Sequence, residues 1–585
     1  MIEVKKLSYS LPEKELYKNV TFSIEDEGHY AFIGTNGTGK STLVDMFLHT
    51  DDYLYEGKIE FSESYRNSRI GYVSQFSQLD EKEDMTVFAF ISEEFVRLEQ
   101  KIAKLCEKMA TEEDLTEIFE AYQKALDEKD AIDGDNYEIN IKKKLKLANL
   151  EKLENQKLSS LSGGEFKLIQ VIKEMMLSPK MMMMDEPDVF LDFDHINALK
   201  DLINAQKGTM LVITHNRYLL NHCFNKILHL ENTDIQEFDG TYLDYNLELL
   251  TTKVELQEAA AKDEEEIERQ QQIVNRIRAN ATAMDNASLG RSVHARQTLL
   301  DRLQNRKTKA PFVYIKRPQI TFPVEEQVTQ ENVLRLKDYS VAFDEQLLEH
   351  VDFEMKPTDK VAIIGKNGTG KTTLLREIWE NKKPSIEISK EAKIAMFSQI
   401  TGTLFPENNS LKEMMQEKGF EKESEMTTYL AKYSFTEDVL GKRVKELSGG
   451  EKDLFQLAVL SLEQANFLLL DEPTGHLDVY AQVALEEAIQ QYKGGILMVS
   501  HDFYIVANCM DYVLLVEDNN IRKMSIRKFR QMIYANHFDK DYLLLEEKKK
   551  ELEMRVEQQL QKKEFEKAKG ILEQLEPIVK QMNGK

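Results

Sequence analysis

Lys40 and Lys371 each close a glycine-rich run of the form G-x-x-x-x-G-K-[ST], GTNGTGKST from Gly34 and GKNGTGKTT from Gly365. Such a loop between a strand and a helix aims backbone N–H groups and a helix N-terminus at phosphate oxygens, and its lysine reaches the β- and γ-phosphates. Gly34, Asn36, Gly37, Gly39, Lys40, Ser41 and Thr42 in one copy, and Gly365, Asn367, Gly368, Gly370, Lys371, Thr372 and Thr373 in the other, are candidate nucleotide ligands. Ser41 and Thr372 offer hydroxyls to Mg2+. Asp185 and Asp471, which end the apolar runs MMMM and FLLL, offer carboxylates to the same ion from its far side. Each aspartate is followed by a glutamate, Glu186 or Glu472, a candidate to polarise attacking water; His215 and His501 are placed to hold that water or the γ-phosphate. Gln75 and Gln399 complete the metal and water shell. The chemistry implied is hydrolysis of ATP with Mg2+.

These residues belong to an internal repeat. LSGGE starts at Leu161 and Leu447, DEP at Asp185 and Asp471, and the switch histidines are His215 and His501, all offset by 286 residues. The lysines Lys40 and Lys371 are offset by 331, so the first copy holds 45 extra residues between its P-loop and its LSGGE. Gln75 lies 87 residues before Ser162, whereas Gln399 lies 49 before Ser448, which puts most of the excess after Gln75. A lone P-loop has ordinary alternatives, a nucleotide kinase among them, but five ordered elements repeated twice exclude them.

The fold class expected is α/β, with two P-loop cassettes in tandem at 1–245 and 326–540. The apolar runs before each P-loop and each DEP read as buried strands. MMMM reads the same way, since methionine is an adaptable core filler, and a methionine metal site is the weaker reading. Charged segments with helical apolar spacing predict a helical, arm-like insertion at about 81–130, a helical hairpin linker over 246–325 and a helical or coiled-coil tail over 541–585.

Net charge is −25 with 31% charged residues, so a protein that coats nucleic acid with its whole surface is excluded. The stretch 269–309 stands apart. It carries nine Lys or Arg against Asp285 and Asp301, a local +7. A solvated helical face is the ordinary reading of such a run, but the reversal of sign favours a local nucleic-acid contact. The sequence has no apolar stretch of membrane-spanning length, and Cys106, Cys223 and Cys509 form no metal or redox spacing. A cytoplasmic protein without membrane insertion is expected.

P-loop, Gln75 or Gln399, LSGGE, DEP and switch histidine in this order resemble the ATP-binding cassette proteins. Two cassettes in one chain around a linker of about 80 residues, with DEPTGHLD from Asp471, resemble the ABC-F group within them. By that resemblance the signature of one cassette caps the ATP of the other in an intramolecular cassette dimer of a monomeric chain. Ser162, Gly163 and Gly164 would face Lys371; Ser448, Gly449 and Gly450 would face Lys40. It also implies that Tyr9 and Tyr339 stack on adenine. The partner implied is the ribosome, rRNA and P-site tRNA, reached through the basic hairpin 269–309, in a role that is either a translation factor or protection from antibiotics. The first copy departs from the group with DEPDVFLD and with His215–Asn216 where the second has His501–Asp502, so the two sites are expected to be unequal. Two rivals are an exporter's ATPase subunit, which leaves the basic linker unexplained, and a scaffold using ATP structurally, which Glu186 and Glu472 argue against.

Overall fold

The computed structural model describes the whole chain except residues 13, 67, 76–81, 112–114, 190, 285–316, 343–345, 399–404, 538–539 and 585. It forms two compact units: residues 1–239 with 316–530, which hold both cassettes, and residues 240–315 with 531–585.

In the first cassette, β1 (Ile2–Leu11), β2 (Lys14–Ile24) and β4 (Glu56–Phe61) make an antiparallel sheet ordered β2-β1-β4. A six-stranded sheet takes β3 (His29–Ile33), β5 (Ile70–Val73), β6 (Met181–Asp185), β7 (Thr209–Ile213), β8 (Lys226–Glu231) and β9 (Asp234–Asp239) in the order β5-β6-β7-β3-β8-β9. All its pairs are parallel except β8 with β9. Parallel strands are covered on both faces, which is why β3, β6 and β7 are continuous apolar runs. Met181 to Met184 are wholly buried in this core.

The second cassette repeats the plan. Strands β10 (Leu334–Ala342), β11 (Gln346–Met355) and β13 (Ile386–Ile388) form the small sheet; β12 (Lys360–Gly365), β14 (Ile394–Phe397), β15 (Phe467–Asp471), β16 (Gly495–Val499), β17 (Tyr512–Glu517) and β18 (Asn520–Ser525) form the large one, ordered β14-β15-β16-β12-β17-β18. In both large sheets the P-loop strand lies two places from the DEP strand. Their carboxyl ends therefore bring loop and acid to one edge, where open α/β sheets bind ligands.

Within the first cassette's excess, helices Val87–Thr111 and Thr116–Ala131 pack against one another. In the second unit a 43-residue helix, Tyr242–Met284, carries the first part of the linker, and helices Lys540–Gln561 and Phe565–Asn583 form the tail. The last of these packs on the linker helix through the ion pair Lys569–Glu258 (2.6 Å) and a hydrogen bond from Asn583 to Asp244 (2.7 Å), and the helix Lys540–Gln561 reaches it through the ion pair Lys253–Glu557 (2.5 Å). Most of the basic run, including Arg291, Arg296 and Arg302, lies outside the described residues.

Candidate functional site

Each P-loop ends in a glycine, Gly39 or Gly370, with φ of 105° or 88°, a left-handed turn that a side chain would strain, immediately before the helices Lys40–Leu48 and Lys371–Glu380. The lysines are buried and curl over their own loops. Lys40 Nζ donates to the carbonyls of Gly34 and Thr35, both at 3.0 Å, and Lys371 Nζ to those of Gly365 (2.9 Å) and Lys366 (2.7 Å). Burial pushes both amines below the ordinary lysine range, opposed by the carboxylates around them. Ser41 and Thr372 follow the lysines in the first helical turn, with Thr42 and Thr373 beside them, half-buried.

Asp185 and Asp471 stand at the ends of β6 and β15. Thr372 Oγ1 donates to Asp471 Oδ1 at 3.0 Å, and the Ser41 hydroxyl is hydrogen-bonded to Asp185. Asp185 Oδ1 and Asp471 Oδ2 are buried with no hydrogen-bond partner among the described residues. A hydroxyl beside an unpartnered buried carboxylate oxygen is a donor set of hard oxygens, so both places fit Mg2+.

Glu186 and Glu472 leave the strands with φ of 45° and 50°. For glutamate this left-handed turn costs about 1–3 kcal/mol and recurs where function demands a particular aim. Backbone bonds to Ile213 and Val499, both 2.9 Å, hold the turns in place. Burial raises both carboxyls to about 7, against the pull of Lys40 and Lys371, so each can take a proton near neutral pH. Gln75 Nε2 donates to Glu186 Oε2 at 2.6 Å, tying that glutamine to its site, whereas Gln399 lies outside the described residues. His501 Nε2 lies 3.5 Å from Glu472 Oε1. Both ring nitrogens of His215 and of His501 are without hydrogen-bond partners among the described residues. Burial pushes the two rings well below the ordinary histidine range, His501 to about 3, and keeps them neutral.

The signatures start helices. Ser162 and Ser448 cap Gly163–Met176 and Gly449–Leu462, and Glu165 and Glu451 reach back to close capping boxes, which leaves the glycine amides at the helix N-termini. The cassettes meet through the P-loops. Asn36 donates from its backbone to Asp478 (3.2 Å) and from its side chain to the carbonyl of His476 (2.7 Å), and a Cβ on Gly450 would fall 1.9 Å from that side-chain nitrogen. On the other side the backbone of Asn367 donates to Asp192 at 3.3 Å. Asp192 and Asp478, offset by the same 286 residues, are the last letters of DEPDVFLD and DEPTGHLD, and they also cap the helices that follow. That shared offset was the available signal for them.

Arg217 has no such counterpart, since Phe503 holds the equivalent position. It crosses between cassettes to Glu486 (2.5 Å) and Asp502 (3.3 Å) and lies over the ring of Tyr504 at 4.7 Å. The adenine-stacking expectation is corrected at Tyr339. Its ring is wholly buried in the core of β10–β12 and its hydroxyl donates to Glu377 at 2.6 Å, so it offers no face to a base. Tyr9 stays half-buried, edge-on to Tyr53 with centroids 5.6 Å apart.

Residues 17–189 and 348–475 match the family model described as ABC transporter, and residues 228–322 match a second model of the same description. The uncharacterized ABC transporter ATP-binding protein YfmM of Bacillus subtilis is 29% identical over 86% of this chain and 96% of its own length. ABC transporter F family member 2 of Arabidopsis thaliana is 27% identical over 89% of this chain and 77% of its own. Among solved structures, the archaeal ribosome recycling factor aABCE1 bound to the ribosomal stalk protein aP1 is similar with a TM-score of 0.54 at 16% identity, over 91% of this chain and 92% of that one.

Proposed function

We propose that this chain, which belongs to the ABC transporter family as a two-cassette protein of the ABC-F type, hydrolyses ATP at two composite sites to control engagement of its linker with the ribosome. The cassettes bind ATP. Ser41 with Asp185 and Thr372 with Asp471 would hold Mg2+, which would neutralise charge on the phosphates. Glu186 and Glu472 orient the attacking water and take its proton, and neutral His215 and His501 hold the γ-phosphate side of each site. The observation that carries the reading is the meeting of each P-loop with the opposite cassette, Asn36 with Asp478 and Gly450, and Asn367 with Asp192. A γ-phosphate is then read by both halves at once, so binding favours closure and hydrolysis releases it.

Support for a ribosomal partner is the +7 stretch 269–309 in a chain of −25, together with a fold shared with the archaeal ribosome recycling factor aABCE1. No helix among the described residues is long and apolar enough to cross a membrane. The test is sedimentation of the Glu186→Gln, Glu472→Gln double variant with purified ribosomes. It should be retained with ATP and released with ADP. Failure to co-sediment in either nucleotide, with recovery instead in membrane fractions, would replace this reading by the exporter subunit. Drug susceptibility of cells expressing the wild type then separates antibiotic protection from a general translation role.

A further inference from the structure

The two signature helices are related by the 286-residue offset, yet their fifth residues differ: Lys167 in the first, Asp453 in the second. Both are buried. Lys167 Nζ donates to the backbone carbonyls of Ser74 and of Gln75, the latter at 3.0 Å. Gln75 in turn holds Glu186 through its side chain. Asp453 turns elsewhere, accepting from the backbone N–H of His476, and burial pushes its carboxyl up to about 8, so it places no cation at this position. In the second cassette the described link from helix to the equivalent strand end is a neutral one, Ser398 N–H to Gln456 at 3.2 Å.

A buried ammonium needs compensating charge. Lys167 finds it in the field of Asp185, Asp188 and Glu186. Asp188 is the residue that makes DEPDVFLD depart from the second copy, where Thr474 stands. Asp188 is itself held by the Thr214 hydroxyl at 2.7 Å, and Lys167 stabilises its charge. The departure at 188 and the lysine at 167 thus answer one another.

We propose that Lys167 is a positioning residue for the ATP site at Lys40: it pins the backbone of Gln75, so that the Gln75 amide holds the Glu186 carboxylate in its aim, and Asp188 balances its charge. The second site carries Asp453 at the equivalent position. This rests on the hydrolytic reading of Glu186. Without Lys167 the Gln75 segment is freed, Glu186 loses its restraint and turnover at this site falls, while the P-loop that carries nucleotide affinity is untouched.

The test uses the full chain with Lys167→Met, which keeps length and loses the charge, Lys167→Arg as the conservative rescue and Asp453→Asn as the mirror control. Amide hydrogen exchange of residues 71–75 without nucleotide should accelerate in Lys167→Met, return toward wild type in Lys167→Arg and stay unchanged in Asp453→Asn. Lys167→Met should lower the residual kcat of Glu472→Gln by about 10- to 100-fold at unchanged KM for ATP, and add little to Glu186→Gln. Unchanged exchange at 71–75, or equal kcat losses in the two glutamine backgrounds, overturns the proposal. If exchange responds as expected but Glu186→Gln itself turns over ATP like the wild type, the hydrolytic reading of Glu186 has failed and the pinning of Gln75 has not.

Discussion

Replacing Arg217 by Met should open the cassette pair. The guanidinium belongs to the first cassette and both carboxylates to the second, with side-chain exposures of 12% for Arg217, 6% for Glu486 and 14% for Asp502. So little exposure leaves the pairs weakly screened. Removing one partner of a buried ion pair costs about 3–5 kcal/mol, because the remaining charge stays desolvated. Here that cost attaches to the closed arrangement, since separating the cassettes returns Glu486 and Asp502 to water. At 1.4 kcal/mol per factor of ten, the closed-to-open ratio should fall by roughly a hundredfold to several thousandfold. Met retains the contact with Tyr504 that packing demands, so the loss reads charge rather than volume. Distance between fluorophores on the two cassettes, followed against ATP concentration, measures the change: Arg217→Met should need far more ATP to close. The triple variant Arg217→Met, Glu486→Gln, Asp502→Asn should recover most of the loss, since a neutral buried cluster carries no desolvated charge. A single Arg217→Met variant that closes at the wild-type ATP concentration would refute the reasoning, and the bridge would then be incidental to closure.

Gly450→Ala should reduce turnover by more than about tenfold, because its methyl would fall 1.9 Å from the Asn36 side chain and 2.7 Å from the His476 backbone carbonyl, and ordinary ATPase kinetics reads it. Glu472→Gln should cost more steady-state turnover than Glu186→Gln, given the regular DEPTGHLD surroundings of the former; equal losses would show the departures in the first cassette to be kinetically silent. Gly570→Ala, at an open position inside the helix Phe565–Asn583, should stabilise the tail by about 0.5–1 kcal/mol in denaturant unfolding. Arg291, Arg296 and Arg302 changed together to Glu should weaken ribosome binding and flatten its salt dependence by roughly 0.7–0.9 in log–log slope per lost phosphate contact, whereas matching wild-type affinity and slope would return the basic run to a solvated face.

The chemistry of each cassette was legible in the chain because its parts are short and local. A P-loop must be contiguous to wrap a phosphate, and DEP must end an apolar strand to put a carboxylate at the sheet's edge, so type and spacing carry the information. The capping boxes at Ser162 and Ser448 are local in the same sense, and the buried run Met181–Met184 follows from strand composition. The tertiary structure decided what depends on approach between distant residues. Asn36 meets Asp478 across 442 residues and Arg217 meets Glu486 across 269, and neither pairing has a local signal beyond the shared offset of Asp192 and Asp478. Tyr339 shows the converse: its place before the P-loop suggested a ring open to a base, and only packing of β10 against β11 and Glu377 shows it sealed in the core. Lys167 and Asp188 read alone as a helix cation and a departure from a motif. Folding puts both into one low-dielectric pocket, where each charge is tolerable because the other is there.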